Sequence, residues 1–251
     1  MLVMGILNVT PDSFADGGKH NDFESAVARG LEMIAEGVDI IDIGGESTRP
    51  GADRVSEEEE IARTIPVITD LAKHGVKISI DTMRASTAKA AIDAGASIIN
   101  DVSGGLADPL MLQTAAALKV PYIAMHWRGQ SKDMNSMAIY GDVVSDVISE
   151  LQERVDAALD AGITAENLII DPGLGFAKDA DHNWAIIDAI DQFVALGYPV
   201  LVGASRKRFL GGDTPDEREQ ATIDLTKRLA PTGVWAVRVH SVKPHKEVLS
   251  S

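Results

Sequence analysis

Residues 37–52 read GVDIIDIGGESTRPGA. Gly37 closes a helical pattern, and an apolar, β-branched run begins at once. Glycine suits that junction because the residue after a helix often turns left-handed, where a side chain costs energy. The run is apolar along most of its length, as in a parallel strand covered on both faces. It then ends in Glu46-Ser47-Thr48-Arg49-Pro50-Gly51, a cluster too polar and too restricted for a strand interior. One short segment thus holds a helix end, a buried strand and a chemically loaded loop.

The same order repeats outward from this segment. Gly75 precedes VKISIDT (76–82), Gly95 precedes ASIIND (96–101), and Gly162 stands ahead of NLIIDPG (167–173). Gly197 precedes YPVLVGAS (198–205) and Gly233 precedes VWAVRVH (234–240). LVMGILNVT (2–10) and VPYIAMH (120–126) bring the strand candidates to eight. The segments between them carry helical periodicity. Residues 23–37 place Phe23, Val27, Leu31 and Ile34 on one face. Ser56 with Glu59 forms a capping-box pattern ahead of Ile61, Ile65, Ile68 and Leu71. Residues 142–162 form a third long amphipathic pattern. The acidic run Glu57 to Glu60 reads as a solvated first turn favoured by the helix dipole. Eight βα units in 251 residues point to α/β architecture: one (β/α)8 TIM-barrel domain over residues 1–251, a fold that typically takes about 250 residues. An open, doubly wound sheet is the alternative, because periodicity does not separate the two.

Bulk properties narrow the function. A formal net charge of −15 argues against a nucleic-acid surface and against an acidic membrane face. It leaves room for anionic small substrates, since a local group of cations can dominate a cleft. With no cysteine there are no disulfides, thiolate chemistry or cysteine-ligated metals, which suits a reducing compartment. The apolar run Leu2 to Val9 is too short to span a membrane and lacks the basic flank of a signal peptide. It is expected to be the first strand of a cytoplasmic protein.

In a parallel barrel, chemistry gathers where strands end. The eight candidates finish in Asn8, in Gly44-Gly45-Glu46, in Asp81, in Asn100-Asp101, in His126, in Asp171, in Ser205-Arg206-Lys207, and in Arg238 with His240. Singly these are weak signals: Asp81 or Asp101 could be helix caps, Asp171 a turn residue before Pro172, and His126 a satisfied rim histidine. Together they form two sets. Asp81, Asn100 and Asp171 suit a planar heterocycle presenting several N–H donors, with a magnesium site as the competing reading. Arg49, Lys207, Arg238 and His240, with Asn8, suit an anionic leaving group. GLGFAK (173–178) lacks the GxGxxG spacing and is not a dinucleotide loop.

MGILNVTPDSFADGG (4–18) and DIIDIGGESTRPGA (39–52) resemble the two signature segments of the dihydropteroate synthase family. The resemblance continues in order through SIDT, INDVSGG, MH, DPGLGFAK, GASRKRFLG and RVH. It implies a (β/α)8 barrel and a transferase of folate biosynthesis. The family joins p-aminobenzoate to 6-hydroxymethyl-7,8-dihydropterin pyrophosphate, uses Mg2+, and is the target of sulfonamides. By resemblance, Asp81, Asn100, Asp171 and Lys207 bind the pterin, and Thr48, Arg49, Arg238 and His240 hold the pyrophosphate. Asn8 is similar to the Mg2+ ligand. Phe14, Pro50, Phe176, Ser205 and Lys207 resemble the p-aminobenzoate pocket. Asp12, Phe14 and Asp16 belong to a first loop that closes over the site with the second, which carries Arg49. A homodimer is left open by the resemblance.

The implied chemistry needs no covalent intermediate. The aryl amine of p-aminobenzoate is a poor nucleophile, so the site is expected to act on the electrophile. Cations would stabilise the departing diphosphate, and acidic groups the cationic methylene carbon, in an SN1-like displacement. Arg49→Ala or Arg238→Ala is expected to slow turnover far more than it perturbs folding. Two rivals are a pterin-binding methyltransferase domain and a non-catalytic pterin-binding paralogue. Intact STRPG, SRK and RVH argue against both. Ser241, where the family commonly has Asp, the approach LAPTGVW (229–235) and Arg208 depart from the family pattern; Arg208 bears on the p-aminobenzoate rim.

Overall fold

The computed structural model describes residues 1–10, 18–46, 54–130 and 134–250. Eight strands follow one another around a single sheet: β1 (Leu2–Asn8), β2 (Ile40–Gly44), β3 (Lys77–Asp81), β4 (Ile98–Asp101), β5 (Tyr122–Met125), β6 (Leu168–Asp171), β7 (Leu201–Val202) and β8 (Ala236–Val239). Their order is β6-β5-β4-β3-β2-β1-β8-β7, and every pair is parallel. A parallel bridge from Ile170 to Val200, just ahead of β7, draws the two ends of that order together. The nearly closed ring decides for the barrel over the open sheet, which would leave β6 and β7 as bare edges.

Helices occupy the crossovers: α1 (Gly18–Ala35), α2 (Glu57–Leu71), α3 (Ala85–Asp93), α4 (Met111–Leu118), α5 (Val143–Asp160), α6 (Ala180–Asp188) with the short α7 (Ile190–Val194), and α8 (Glu217–Leu229), while α9 (Lys243–Leu249) follows β8. Strand side chains alternate between two cores. The outward set, including Val3, Ile41, Ile43, Ile78, Ile80, Ile99, Tyr122, Leu168, Ile170 and Val237, packs under the helices. The inward set, Met4, Ile40, Ile98, Ile123, Ile169, Leu201 and Ala236, fills the barrel as a plug, with Leu2 and Trp235 against it.

Two sequence expectations are corrected here. The face of α1 is centred on Ala26 and Met33, with Phe23, Val27 and Ile34 packed at its edges as expected, while Leu31 is 38% exposed. The cause is close packing, since a Cβ on Gly30 would lie 2.5 Å from a Leu71 methyl of α2. Ser56 does cap α2, accepting from the Glu59 amide at 3.2 Å. The acidic run that follows is not uniformly solvated, however. Glu60 is 1% exposed and pairs with Arg84 and with Thr87 Oγ1.

Candidate active site

The inward alternation that builds the plug also builds the rim. Two residues beyond each plug residue, the same face reaches the C-terminal end of its strand. Ile98 leads to Asn100, Ile169 to Asp171, Ala236 to Arg238 and then His240, Leu201 to Gly203 and Ser205, and Ile40 to Asp42. Met4 leads through Ile6 to Asn8. Asp81 stands beside Asn100 and Gly44 in register. Asp171 and Arg238 flank Gly203, where a Cβ would lie 3.7 Å from Asp171 Oδ2 and 3.9 Å from Arg238 Cβ. Carboxylate and guanidinium therefore share one pole of the molecule.

They are not separated into two halves. Arg238 donates through Nε to Asp42 Oδ2 at 2.6 Å and through Nη2 to Asp81 Oδ2 at 2.7 Å. Asn100 Nδ2 donates to the same Asp42 oxygen at 3.0 Å. Burial works against the Arg238 charge, but Asp42 and Asp81 more than offset it and hold the guanidinium protonated. Burial pushes the Asp81 carboxyl up to about 7, with Arg238 opposing and Asp42 adding to the rise. Asp171 is likewise raised by burial, against the pull of the Gly173 amide, which donates to its Oδ1 at 2.7 Å, and of Lys207, Arg238 and Lys178. Asp42 is the residue that sequence reasoning passed over. Its signal was present: a second aspartate inside an otherwise apolar run, at the inward position of β2.

Of the residues that the resemblance links to p-aminobenzoate, Phe176, Ser205 and Lys207 are described and follow β6 and β7. Lys207 lays its stem over Gly175, where a Cβ would lie 2.8 Å from Lys207 Cδ. Its amine donates to the Leu174 carbonyl and sits 4.7 Å from the centre of the Phe176 ring. Lys207 stays partly exposed at the rim, yet enough protein surrounds the amine to pull it down to about 8, with Asp171 pulling back. Ser205 Oγ lies 2.9 Å from His240 Nδ1 and accepts from the His240 amide at 3.2 Å. Asp12, Phe14, Asp16, Thr48, Arg49 and Pro50 lie outside the described residues.

The residues that follow the inward ones face the helix shell and serve structure. Asp101 accepts from the Ser103 and Gly105 amides and from Tyr122 Oη, each within 2.8 Å. His126 is 1% exposed and lies between Glu150 of α5, at 2.9 Å, and the amine of Lys178, at 2.8 Å. Burial and Lys178 lower its imidazole to about 4. Among the described residues no group of three His, Asp or Glu side chains is placed to hold a metal ion. Nor is any helix long and apolar enough to cross a membrane.

Comparison with known proteins identifies the family. Residues 4–240 match the family model described as pterin binding enzyme. The chain is 48% identical to the dihydropteroate synthase of Mycobacterium leprae (strain TN), over 98% of this chain and 90% of that protein. It is 49% identical to the dihydropteroate synthase of Bacillus subtilis (strain 168), over 96% and 84% respectively. The crystal structure of Xanthomonas albilineans dihydropteroate synthase with 4-aminobenzoic acid superposes with a TM-score of 0.93 at 43% identity, covering 99% of this chain and 90% of that one. The same enzyme in complex with 7,8-dihydropteroate gives 0.90 at 40% identity, over 99% and 91%. With a family match across nearly its whole length and relatives this similar, the chain belongs to the dihydropteroate synthases among the pterin-binding enzymes.

Proposed function

We propose that the rim built on Asp42, Asp81, Asn100, Asp171, Lys207 and Arg238 is where this chain carries out the reaction of its family. That reaction condenses p-aminobenzoate with 6-hydroxymethyl-7,8-dihydropterin pyrophosphate, giving 7,8-dihydropteroate for folate biosynthesis. The observation that carries the assignment is the placement of Asp171 and Arg238 on either side of Gly203. It supports the reading because acceptors that would suit a nitrogen heterocycle lie next to a cation that would suit its diphosphate.

Asp81, Asn100 and Asp171 would accept the pterin N–H groups. Arg238 has Nε and Nη2 committed to carboxylates, so its Nη1 edge is what remains to meet the diphosphate. Held from two sides, the guanidinium is set in place before the substrate arrives, and charge develops toward a group that need not reorganise. His240, Thr48 and Arg49 would complete the anion site, and Phe176, Ser205, Lys207, Phe14 and Pro50 the p-aminobenzoate pocket. Asp12 and Asp16 would act in loop closure. Departure of diphosphate ahead of amine attack, an SN1-like course, suits a weak nucleophile. The buried carboxylates beside the pterin would favour the cationic carbon.

Mg2+ fits the donor chemistry of the rim. With no three-ligand cluster among the described residues, a hard cation would need substrate oxygens, and Asn8 supplies an amide oxygen at the same rim. When bound, it would neutralise charge on the leaving diphosphate. We further read the chain as a cytoplasmic enzyme and a sulfonamide target, with a homodimer testable by sedimentation. The decisive assay incubates purified protein with both substrates and Mg2+ and follows dihydropteroate and pyrophosphate. Formation of both is expected. Methyl transfer to a corrinoid instead would favour the methyltransferase reading, and binding without turnover the non-catalytic one.

A further inference from the structure

The loop from Asp171 to Lys178 is folded around one of its own side chains. Lys178 is buried, and its amine donates to the carbonyls of Gly173 and Phe176, both at 3.1 Å, and meets His126 Nδ1 at 2.8 Å. Three polar partners match the three N–H donors of an ammonium, while burial pulls the proton affinity of this amine well below that of an ordinary lysine. With Nδ1 accepting, the second ring nitrogen of His126 carries the proton and donates to Glu150 Oε2 at 2.9 Å. Glu150 is in turn gripped by Arg128, which stacks 3.8 Å from the centre of the Tyr140 ring. Tyr140 Oη donates to the Ala177 carbonyl at 2.9 Å.

The loop has an unusual backbone to match. Gly173, Gly175 and Ala177 all sit at positive φ, 67°, 76° and 48°, and Ala177 lacks the glycine freedom that makes this easy. A Cβ on Gly173 would lie 2.3 Å from the His126 carbonyl oxygen, so the loop lies directly against the end of β5. From its other side the loop offers the Leu174 carbonyl and the Phe176 ring to Lys207, and the Gly173 amide to Asp171.

We propose that Lys178 is a positioning residue for the synthase reaction, a buried amine that, seated on His126 and two carbonyls, fixes the loop presenting Phe176 to p-aminobenzoate. It touches no substrate itself and acts through the loop. The inference rests on the reading of Phe176 and Lys207 as pocket residues. Asp171 belongs to β6 and meets the loop at its strand end, through the Gly173 amide, whereas Phe176 lies beyond that joint, so the effect falls on one substrate more than on the other.

The test compares steady-state constants for both substrates, with thermal midpoints, in Lys178→Met, His126→Leu, His126→Asn and Phe176→Ala. Lys178→Met and His126→Leu should raise KM for p-aminobenzoate tenfold or more, while KM for the pterin pyrophosphate moves less than threefold. His126→Asn places an amide oxygen where Nδ1 was and should recover most of the loss. Should Lys178→Met fail to fold, the Leu and Asn variants of His126 decide alone. The proposal is overturned if both KM values rise together in step with a fallen midpoint, if Asn rescues no better than Leu, or if p-aminobenzoate KM stays within twofold of the parent while Phe176→Ala raises it. An unchanged KM in Phe176→Ala would instead remove the pocket reading, and this inference with it.

Discussion

Arg238 meets two carboxylates inside the barrel, and one of them, Asp42, is fully buried. Removing the guanidinium would strand both charges, and breaking one side of a buried pair typically costs about 3–5 kcal/mol. Arg238→Ala is therefore expected to lower the urea midpoint clearly, in addition to slowing turnover. The sequence expectation that turnover would suffer far more than folding is thereby changed for Arg238; Arg49 lies outside the described residues. Lys207 yields a second prediction at this scale. Its amine is pulled down to about 8 from the ordinary 10.5, so the ammonium is lost as pH rises through about 8. A pH profile of kcat/KM should show a basic limb there. Stability should move the other way. Between about pH 8 and 10.5 the unfolded chain binds the proton that the folded chain has released, so this group makes the fold more stable as pH rises across that window. Parallel urea titrations would detect it. The acids and bases at the strand ends were legible as residue types. Their pairing was not, because Asp42 and Arg238 lie 196 positions apart and only closure of the barrel brings them together.

At the scale of elements, the β6–α6 junction is where backbone shape matters most. Gly173 combines φ 67° with a 2.3 Å approach to the His126 carbonyl. Gly173→Ala should weaken binding of both substrates at least tenfold in titration calorimetry, since the Asp171 anchor and the Phe176 platform would shift together. The β2–α2 junction is tied differently. Glu46 accepts from Arg54 and the Val55 amide, and Arg84 at the start of α3 reaches Glu46, Glu60 and the Val55 carbonyl. Two ends of one segment are thereby clasped to a neighbouring unit. Strands and helix starts were readable because glycine and Ser56 mark them by local stereochemistry. The buried role of Glu60 was hidden, because its partner belongs to the next βα unit, and so was the centring of α1 on Ala26 and Met33, because Gly30 owes its place to Leu71 across the helix pair.

Across the whole molecule, stability and chemistry occupy different depths of the same barrel. The plug of Met4, Ile40, Ile98, Ile123, Ile169, Leu201 and Ala236 lies beneath the rim and includes none of the residues proposed to bind a ligand. Ile123→Ala should cost about 2–5 kcal/mol of stability, as large-to-small core changes do. KM for either substrate should stay within twofold; a large KM change at a modest loss of stability would contradict the layered arrangement. The fold was legible from six repeats of one pattern and two further strands, while closure itself, made by a bridge at Val200, left no mark in periodicity.

Asp101 follows Asn100 and is held by the Ser103 and Gly105 amides and by Tyr122 of the next strand, while His126 follows the last residue of β5 and is held by Glu150 of α5. Asn100 is thus one peptide unit from a handle behind the wall. A compound that fills the mouth could lose affinity through substitutions it never contacts, and the enzyme's selectivity could be retuned from behind the wall.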